Sequence, residues 1–312
     1  MEHAVVVKNL HKSYRDKKAV NGIDFVVNKG EILGFLGPNG AGKSTIMNIL
    51  STILSADEGE ITILGVPLKK NAKSIKLRIG IVPQDLAIYE EISAEKNVRF
   101  FASLYHLKGQ MLEDKVKAAL ELVGLYDKKD HKPKTFSGGM KRRLNIACGI
   151  AHQPQLIILD EPTVGIDPQS RNHILESIKI LKQHGATVIY STHYMEEVEA
   201  ISDRILIINE GKIIAEGTKE ELNRKVSDEI TYTFSVKNTE RLTVEAFHEI
   251  DGVTKVRLSA DTIEVTSGKS EDNLNGIIGV ITSSGCKIHN MSRTEASLET
   301  TFLELTGRNL RD

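Results

Sequence analysis

Gly37-Pro38-Asn39-Gly40-Ala41-Gly42-Lys43-Ser44-Thr45 matches the pattern G-x-x-x-x-G-K-[ST], and the segments on either side of it are those that this pattern requires. The apolar run EILGFLG at 31–37 leads into it, and STIMNILSTIL at 44–54 follows with helical spacing. Strand, glycine-rich loop and helix in this order predict a phosphate-binding loop within an α/β domain. A glycine-rich turn that carries a lysine by chance is the alternative, and the two flanks argue against it.

The residue types of this loop suit an anion cradle. Glycines let the backbone turn its N–H groups towards phosphate, and the N-terminus of the following helix adds partial positive charge. Lys43 is predicted to reach the β- and γ-phosphates, Ser44 to offer its hydroxyl to Mg²⁺, and Thr45 to bond a phosphate from the first helical turn. The loop alone does not distinguish ATPases from GTPases or kinases.

An acidic pair follows a second apolar strand. The run LIILDE at 156–161 ends in Asp160 and Glu161, which places both carboxylates at the edge of a parallel sheet where α/β proteins bind ligands. Asp160 suits the Mg²⁺ shell, and Glu161 suits a general base that accepts a proton from the attacking water. A helix cap is the alternative for such a pair, and the presence of the phosphate loop weakens it.

A third motif, Phe136-Ser137-Gly138-Gly139-Met140, precedes an amphipathic helix and lies upstream of the acidic strand. Ser137 and two glycines at a helix N-terminus form a second anion cradle, suited to a γ-phosphate. With this motif the sequence resembles the ABC ATPase family over roughly residues 4–225. The resemblance implies that Ser137, Gly138 and Gly139 contact the ATP held by an opposite subunit. The family more often has leucine at the position of Phe136.

The resemblance also implies roles for three further residues outside these motifs. Tyr14 is implied to stack on adenine, and Gln84, in IVPQDLAIYE, to meet the metal and the water. Taken alone, each is ordinary packing or a solvated side chain. Asp167 matches the loop that touches the partner subunit, although Ile166 stands where leucine is commoner.

A histidine completes the predicted site. The apolar run ATVIY at 186–190 leads to His193, which matches the family's switch histidine and is expected at the same sheet edge as Glu161, within reach of a γ-phosphate. The nine other histidines have no such setting and are interpreted as surface or core residues. The adjacent Glu196 and Glu197 are interpreted as solvated helix surface, because neighbouring residues on a helix do not face one another.

Alternating apolar runs and helical spacing organise the first part of the chain. Strands are predicted at 4–10 and 23–27 in addition to those above, and a helical region is predicted over 92–125. Residues 1–227 are therefore predicted to form an α/β P-loop NTPase domain of the ABC ATPase type. A helical insert is placed at about 86–150.

Residues 228–312 carry no phosphate motif and form a separate pattern. They indicate a strand, a helix, two strands, a helix, a strand and a last helix over 297–307. This order predicts a small C-terminal α+β domain of the split βαβ type. Regulation, dimerisation and simple stabilisation stay open as its roles.

Composition limits the classes of function. Lys plus Arg number 41 and Asp plus Glu number 42, so the formal net charge of −1 gives no whole-chain attraction to nucleic acid. Cys148 and Cys286 fit no metal spacing and are predicted to be free, buried thiols in a reducing cytosol. The first residues lack the pattern of a signal peptide, and no run of about 18 apolar residues suggests a membrane helix. A path across a membrane would need another chain.

The resemblance implies the ATP-hydrolysing subunit of an ABC exporter, with ATP and Mg²⁺ as its ligands. Two copies are expected to pair around two ATP, most simply as a homodimer, because each completes the site of the other. HYMEEVEAISDRI and SLETTFLELTG are similar to ATPases of ABC-2 type exporters, such as the daunorubicin- and linearmycin-resistance systems. A drug, an antibiotic or a lipid-like compound is the implied cargo.

Separately encoded integral membrane permease subunits are the implied partners. The segment around 88–106 would supply the groove that holds them, unless it is only a self-contained helical insert. The ATPase would then be cytoplasmic and peripheral on the inner face of the cell membrane.

Two rival classes remain. A soluble ABC ATPase that acts on ribosomes or DNA usually has two ATPase domains or long coiled coils, which this sequence lacks, and the net charge argues against a nucleic-acid partner. The second rival class is an ATP-binding regulator that takes no part in transport.

Overall fold

The computed structural model describes residues 2–15, 17–226, 229–237, 239–268, 273–295 and 302. The chain divides into two units, Met1–Lys219 and Glu220–Gly307. Each unit has an apolar core of its own. The boundary after residue 227 that composition suggests stays a prediction.

Strands and helices alternate along the first unit, as the apolar runs predict. Its strands are β1 (His3–Tyr14), β2 (Lys17–Asn28), β3 (Ile32–Leu36), β4 (Glu58–Ile63), β5 (Val66–Pro67), β6 (Ile79–Val82), β7 (Leu156–Asp160), β8 (Thr187–Thr192), β9 (Arg204–Asn209) and β10 (Lys212–Gly217). The helices as far as residue 226 are α1 (Lys43–Leu50), α2 (Leu68–Lys76), α3 (Ala94–Ser103), α4 (Gly109–Leu122), α5 (Gly138–Ile150), α6 (Pro168–Gln183), α7 (Met195–Ile201) and α8 (Lys219–Val226).

A six-stranded sheet in the order β10-β9-β3-β8-β7-β6 forms the centre of this unit. Its neighbours from β9 to β6 run parallel, and β10 pairs with β9 in the antiparallel sense. Every residue of β3, β7 and β8 is buried, as expected for strands covered on both faces. The phosphate loop follows β3, Glu161 follows β7 and His193 follows β8. These parts of the predicted site therefore lie at the same edge of the sheet.

A second, antiparallel sheet in the order β2-β1-β4-β5 packs against the first. The runs at 4–10 and 23–27 lie within β1 and β2, which confirms both predicted strands. Phe25 of β2 meets Phe35 of β3 edge to face, with ring centroids 5.2 Å apart. Apolar side chains of both sheets and of α1 form one continuous core.

One predicted helix ends earlier than expected and another predicted helical region is divided in two. Backbone conformation explains both differences. The segment 44–54 is helical only to Leu50, because Thr52 has a φ of 60° and cannot continue a right-handed helix. The helical region 92–125 is split into α3 and α4, since His106 and Gly109 have φ values of 64° and 56°.

The second unit follows the predicted order of elements. From Glu220 onwards α8 falls within this unit. The strands of the unit are β11 (Glu229–Lys237), β12 (Val253–Leu258), β13 (Thr262–Gly268) and β14 (Lys287–Glu295), and its helices after residue 226 are α9 (Val244–His248) and α10 (Leu274–Ser283). The strands form an antiparallel sheet in the order β12-β13-β11-β14, which confirms the split βαβ pattern. The last predicted helix, over 297–307, lies outside the described residues except for Phe302, which is buried.

Both cysteines are free and buried, as predicted. Burial raises the pKa of the Cys148 thiol, which keeps it in the unreactive protonated form.

The partly buried His152 makes stability depend on pH. His152 stacks on Tyr105 with ring centroids 3.4 Å apart, and its Nε2 donates to the carbonyl of Ile79 at 3.1 Å. Burial lowers the pKa of His152 from 6.5 to about 4. Between these values the unfolded chain binds a proton that the folded chain does not, so stability falls as pH drops through this window.

We expect this group to account for a loss of about 3 kcal/mol in the free energy of unfolding between pH 7 and pH 4. Replacement by phenylalanine, His152→Phe, keeps a ring for the stack and removes the titration. Urea unfolding at several pH values should therefore give a flatter profile for this variant than for the wild type. The matched control is His184→Phe at an exposed position; an equal flattening in the control would refute the assignment.

Candidate active site

The phosphate loop connects β3 to α1 and requires glycine at two positions for different reasons. A Cβ atom at Gly37 would lie 2.3 Å from the carbonyl oxygen of Ile208 on β9. Gly42 has a φ of 106°, and a Cβ there would lie 2.4 Å from the carbonyl oxygen of Ala19. Close backbone neighbours therefore hold the loop in one shape, which is what an anion cradle needs.

Lys43 lies inside the curl of this loop and is 4% exposed. Its Nζ donates to the carbonyls of Gly37 at 2.8 Å and Pro38 at 3.1 Å, and lies 3.1 Å from Oε1 of Glu161. Burial lowers the pKa of Lys43, and the opposite charge of Glu161 counteracts this shift. The ammonium group is thus fixed between the loop and the predicted general base.

Asp160 ends β7 beside two hydroxyl groups. Its Oδ1 accepts from Ser191 Oγ at 2.6 Å and from Ser44 Oγ at 3.3 Å. Burial raises the pKa of Asp160, and these two hydrogen bonds oppose the shift. A nearby cation would favour the ionised form of such a carboxylate, so the pair Ser44 and Asp160 fits a metal ion with hard oxygen ligands.

Glu161 is held in an unusual backbone conformation. Its φ is 44°, a left-handed value that costs a non-glycine residue about 1 kcal/mol or more. The backbone N–H of Glu161 is directed at both the carbonyl oxygen and the Oγ of Ser191, each at 3.1 Å. His193 Nδ1 lies 3.3 Å from Oε2 of Glu161, although the two are not aligned as a hydrogen bond. The structure therefore brings the predicted base and the predicted switch histidine together.

A cleft of about 340 Å³ opens at this sheet edge. Most of the predicted site residues line it. The lining comprises Tyr14, Lys17, Ala19, Asn39, Gly40, Gly42, Lys43, Ser44, Thr45, Gln84 and Glu161. Tyr14 is 49% exposed at its rim, a position from which an aromatic ring can stack on a base. Gly37, Pro38 and Ala41 belong to the loop backbone that shapes the cleft but do not line it.

Gln84 lies between this cleft and a smaller cavity of about 180 Å³ that Ser44 and Asp160 also line. Its side chain is exposed, while its carbonyl oxygen accepts from Nη1 of Arg142 at 2.6 Å. Among the described residues no cluster of three or more His, Cys, Asp or Glu side chains could hold a metal by itself. A hydroxyl, an amide and one carboxylate agree with a cation that also takes oxygen ligands from a phosphate.

The second predicted cradle lies outside the lining of this cleft. Ser137 is the N-cap of α5, where its Oγ accepts from the backbone N–H of Met140 at 3.2 Å. Ser137 and Gly138 are exposed, whereas Gly139 is buried against α6, and a Cβ on it would lie 2.0 Å from Oγ of Ser170. The helix N-terminus is therefore open to solvent on one side and closely packed on the other.

The interpretation of Glu196 and Glu197 as solvated helix surface is wrong for Glu197. The side chain of Glu196 is 76% exposed, but Glu197 is only 1% exposed. Consecutive residues on a helix point about 100° apart, and Glu197 shares the buried face of α7 with Val198 and Ile201.

The geometry of the loop gives a stability prediction. We expect Gly42→Ala to destabilise the fold by about 1–3 kcal/mol and to abolish nucleotide binding, because the methyl group meets the carbonyl of Ala19 at an unfavourable φ. Gly185→Ala is the matched control, since Gly185 has a φ of 88° and no atom of the described residues lies within 4 Å of the added Cβ. Thermal unfolding and binding of a fluorescent ATP analogue measure the two effects; equal behaviour of both variants would refute the role of the close contact.

The sequence motifs did not identify three residues at the site, namely Ser191, Lys17 and Arg142. Ser191 contacts both Asp160 and Glu161, and Lys17 lines the cleft with its ammonium group near Gly40 of the loop. A hydroxyl at the end of a buried apolar strand is a usable signal for Ser191. Arg142 and Lys17 carry no local pattern that would single them out among 41 basic residues.

The loop follows β3 and the acidic pair lies at the end of β7, with β8 between these two strands and parallel to both. This arrangement defines a P-loop nucleotide hydrolase. Comparison with known proteins places the chain more narrowly. Residues 20–164 match the family described as "ABC transporter".

Two relatives and one solved structure extend this match. The chain is 41% identical over 308 residues to the linearmycin resistance ATP-binding protein LnrL of Bacillus subtilis (strain 168), covering 98% of this chain and 99% of that protein. It is 33% identical over 308 residues to the daunorubicin resistance ATP-binding protein DrrA3 of Streptomyces coeruleorubidus, covering 99% and 97%. A dimeric ATP-binding cassette solved in a post-hydrolysis state with ADP and Pi is 26% identical, with a TM-score of 0.64 over 69% of this chain and 98% of that one.

The chain therefore belongs to the ATP-binding proteins of ABC transporters, and it hydrolyses ATP to power transport. No helix among the described residues combines the length and the apolar character needed to cross a bilayer.

Proposed function

We propose that this chain powers an exporter of a drug or antibiotic, with two copies of it closing around two ATP. The observation that carries the proposal is the near full-length similarity to ATP-binding proteins named for resistance to linearmycin and daunorubicin. The two relatives share the C-terminal region as well as the ATPase region, because nearly all of this chain is covered. The cargo contacts belong to a membrane subunit, so the compound is proposed as a class only.

Each site residue receives one task in the proposed hydrolysis. The loop from Gly37 to Gly42 and Lys43 bind the phosphates, and Tyr14 stacks on the base. Ser44, Asp160 and Gln84 are the residues that would hold Mg²⁺, which offsets negative charge on the phosphates when it is bound.

Glu161 takes the proton from the attacking water, and the negative charge of its carboxylate is stabilised beforehand by Lys43 at 3.1 Å. His193, 3.3 Å from the same carboxylate, contacts the γ-phosphate and holds Glu161 in register with it. These roles agree with the requirement that a general base lie within hydrogen-bond reach of its proton.

A second copy of the chain is the proposed source of the missing contacts. Ser137 and the glycines after it form an exposed helix N-terminus that has no place in the lining of its own cleft. A γ-phosphate bound to a facing copy is an anion that this N-terminus can accept. The dimeric cassette with ADP and Pi supports this arrangement.

An exposed apolar group on the helical insert supports a membrane partner. Leu86, Tyr89, Phe100 and Leu104 are all more than 40% exposed, and the rings of Tyr89 and Phe100 meet edge to face at 5.3 Å. Clustered exposed aromatics are typical of protein interfaces. We propose that they bind a separately encoded permease, which holds the chain on the cytoplasmic face of the membrane.

We expect Phe100→Asp to abolish co-purification with the permease from detergent-solubilised membranes, because the charge must be desolvated in the interface. Met111→Asp on α4 is the matched control, since Met111 is also an exposed apolar residue of the insert. Mass spectrometry of the wild-type complex identifies the partner. Capture of ribosomal proteins or DNA in place of a membrane protein would favour the soluble ABC ATPase, and equal capture by Phe100→Asp would exclude this surface.

A further inference from the structure

Glu197 is a buried carboxylate surrounded by hydroxyl groups. Its Oε2 accepts from Thr163 Oγ1 at 2.8 Å, from Tyr190 Oη at 2.8 Å and from Thr192 Oγ1 at 2.7 Å. A carboxylate is costly to bury unless it is fully paired. The three hydrogen bonds to Oε2 offset much of the free-energy cost of burying this carboxylate. An apolar side chain on the same helix face would carry no such cost.

The other oxygen of Glu197 connects it to a row of three neighbouring side chains, Arg171, Tyr194 and His193. Oε1 lies 3.3 Å from Nε of Arg171, an ion pair without hydrogen-bond alignment. The Arg171 guanidinium lies over the ring of Tyr194 at 4.7 Å, and that ring lies 4.1 Å from the ring of His193. Glu197 thus orients a cation that supports, through one aromatic ring, the side chain of the switch histidine.

The backbone around His193 depends on the same carboxylate. Thr192 Oγ1 donates to Glu197 and accepts from the backbone N–H of Tyr194 at 2.9 Å. The residues on both sides of His193 are therefore fixed by one hydroxyl group whose direction Glu197 sets.

The segment after β7, which carries the proposed general base Glu161, is connected to this network as well. Thr163 lies two residues after Glu161 and donates to Glu197. Its hydroxyl also lies 3.2 Å from that of Tyr190. One side chain therefore anchors the segment of Glu161, the end of β8 and the start of α6.

We propose that Glu197 is a positioning residue for ATP hydrolysis, which sets His193 against Glu161 through Thr192, Tyr194 and Arg171. This inference rests on the roles proposed above for Glu161 and His193. None of the residues of this network lines the nucleotide cleft. Its loss should therefore impair the chemical step more than the binding of ATP.

The first test compares Glu197→Gln with Glu196→Gln. Both variants remove one negative charge from α7, but Glu196 is exposed and only approaches Arg171 at 4.0 Å, a distance at which a surface pair contributes little. We expect Glu197→Gln to lower kcat about 10- to 100-fold while the Kd for ATP changes less than about threefold. Glu196→Gln should keep the wild-type kcat, and equal loss in both variants would reduce the effect to helix charge and overturn the proposal.

A second pair of variants decides the question if Glu197→Gln does not fold. Thr192→Ser keeps the hydroxyl group and should keep kcat, whereas Thr192→Val removes it at equal volume and should lower kcat to a similar extent as Glu197→Gln. Combining Thr192→Val with Glu197→Gln should lower kcat little beyond the worse single variant, because both act through one network. A wild-type kcat in Thr192→Val, or a loss of ATP affinity that matches the loss of kcat, would overturn the proposal.

Glu161→Gln, assayed alongside, separates this inference from the proposed function. If Glu161→Gln is inactive and Glu197→Gln is fully active, only the positioning role fails. If Glu161→Gln hydrolyses ATP at the wild-type rate, the proposed roles of Glu161 and His193 fail, and the positioning role fails with them.

Discussion

Glu161→Gln is expected to lower kcat for ATP hydrolysis by about 100- to 10,000-fold, the range that a general base contributes. Glutamine has nearly the same shape but cannot take the proton of the attacking water. Binding should be kept or slightly strengthened, because Lys43 loses the carboxylate at 3.1 Å that competes with phosphate for its ammonium group. Steady-state phosphate release measures the first effect, and equilibrium binding of a fluorescent ATP analogue measures the second.

The same variant tests the proposed dimer, since slow hydrolysis should trap two copies around ATP. Light scattering should give twice the monomer mass with ATP and Mg²⁺ present and the monomer mass without them. Adding Ser137→Glu places a negative charge at the exposed N-terminus of α5 and should abolish this dimer through repulsion of phosphate. Unchanged turnover in Glu161→Gln would remove Glu161 from the mechanism, and full-rate hydrolysis by a chain that stays monomeric at saturating ATP would exclude the shared site.

Lys43→Met is expected to weaken ATP binding at least about 100-fold. The lysine ammonium can exchange its bonds to the carbonyls of Gly37 and Pro38 for bonds to phosphate oxygens, and two hydrogen bonds from a charged group contribute about 3 kcal/mol or more. Methionine keeps the apolar stem within the loop and removes only the charge. Isothermal titration with ATP and Mg²⁺ measures the loss directly.

The control for this variant is Lys117→Ala, which removes a lysine with a 56% exposed side chain from the helical insert. It should leave ATP affinity and unfolding temperature unchanged. Affinity in Lys43→Met within a factor of about three of the wild type would show that the loop backbone alone binds the phosphates.

The expected results for Glu161→Gln and Lys43→Met differ in the quantity that changes. Glu161→Gln should fail in turnover and keep binding, whereas Lys43→Met should fail in binding. If both variants lose ATP binding, the ion pair between Lys43 and Glu161 maintains the shape of the cleft. A lowered unfolding temperature in both variants would support that explanation.

Local sequence was sufficient to predict the phosphate loop, the strand before it and the strand that ends in Asp160. The loop is specified within nine residues, because its glycines set the backbone angles and the flanking apolar run fixes the strand before it. The strand ending in Asp160 was predicted at its observed bounds, since a short apolar run between polar residues leaves little choice of register. Helix ends were less accurate, because the left-handed φ of Thr52 and of His106 has no marker in the sequence.

The two neighbouring glutamates show where sequence reasoning stopped. Glu196 and Glu197 are chemically identical, and only the packing of α7 turns one to solvent and the other onto Tyr190, Thr163 and Thr192. Their burial depends on which face of a short helix meets the sheet, and residues from three separate segments determine that. The i, i+4 spacing of Glu197 and Ile201 places Glu197 on the apolar face of α7. Its hydrogen-bond partners lie in other segments of the chain, and only the tertiary structure identifies them.

The glycine-rich loop was thus predictable from the sequence alone, because its conformation depends on the backbone of consecutive residues. Only the tertiary structure shows which distant side chains lie beside that loop in the candidate site. It placed Lys43 against Glu161 and Glu161 against His193, and it left Ser137 outside the cleft of its own chain. These contacts join residues more than 30 positions apart, and only the order of strands in the folded sheet brings such residues to one edge.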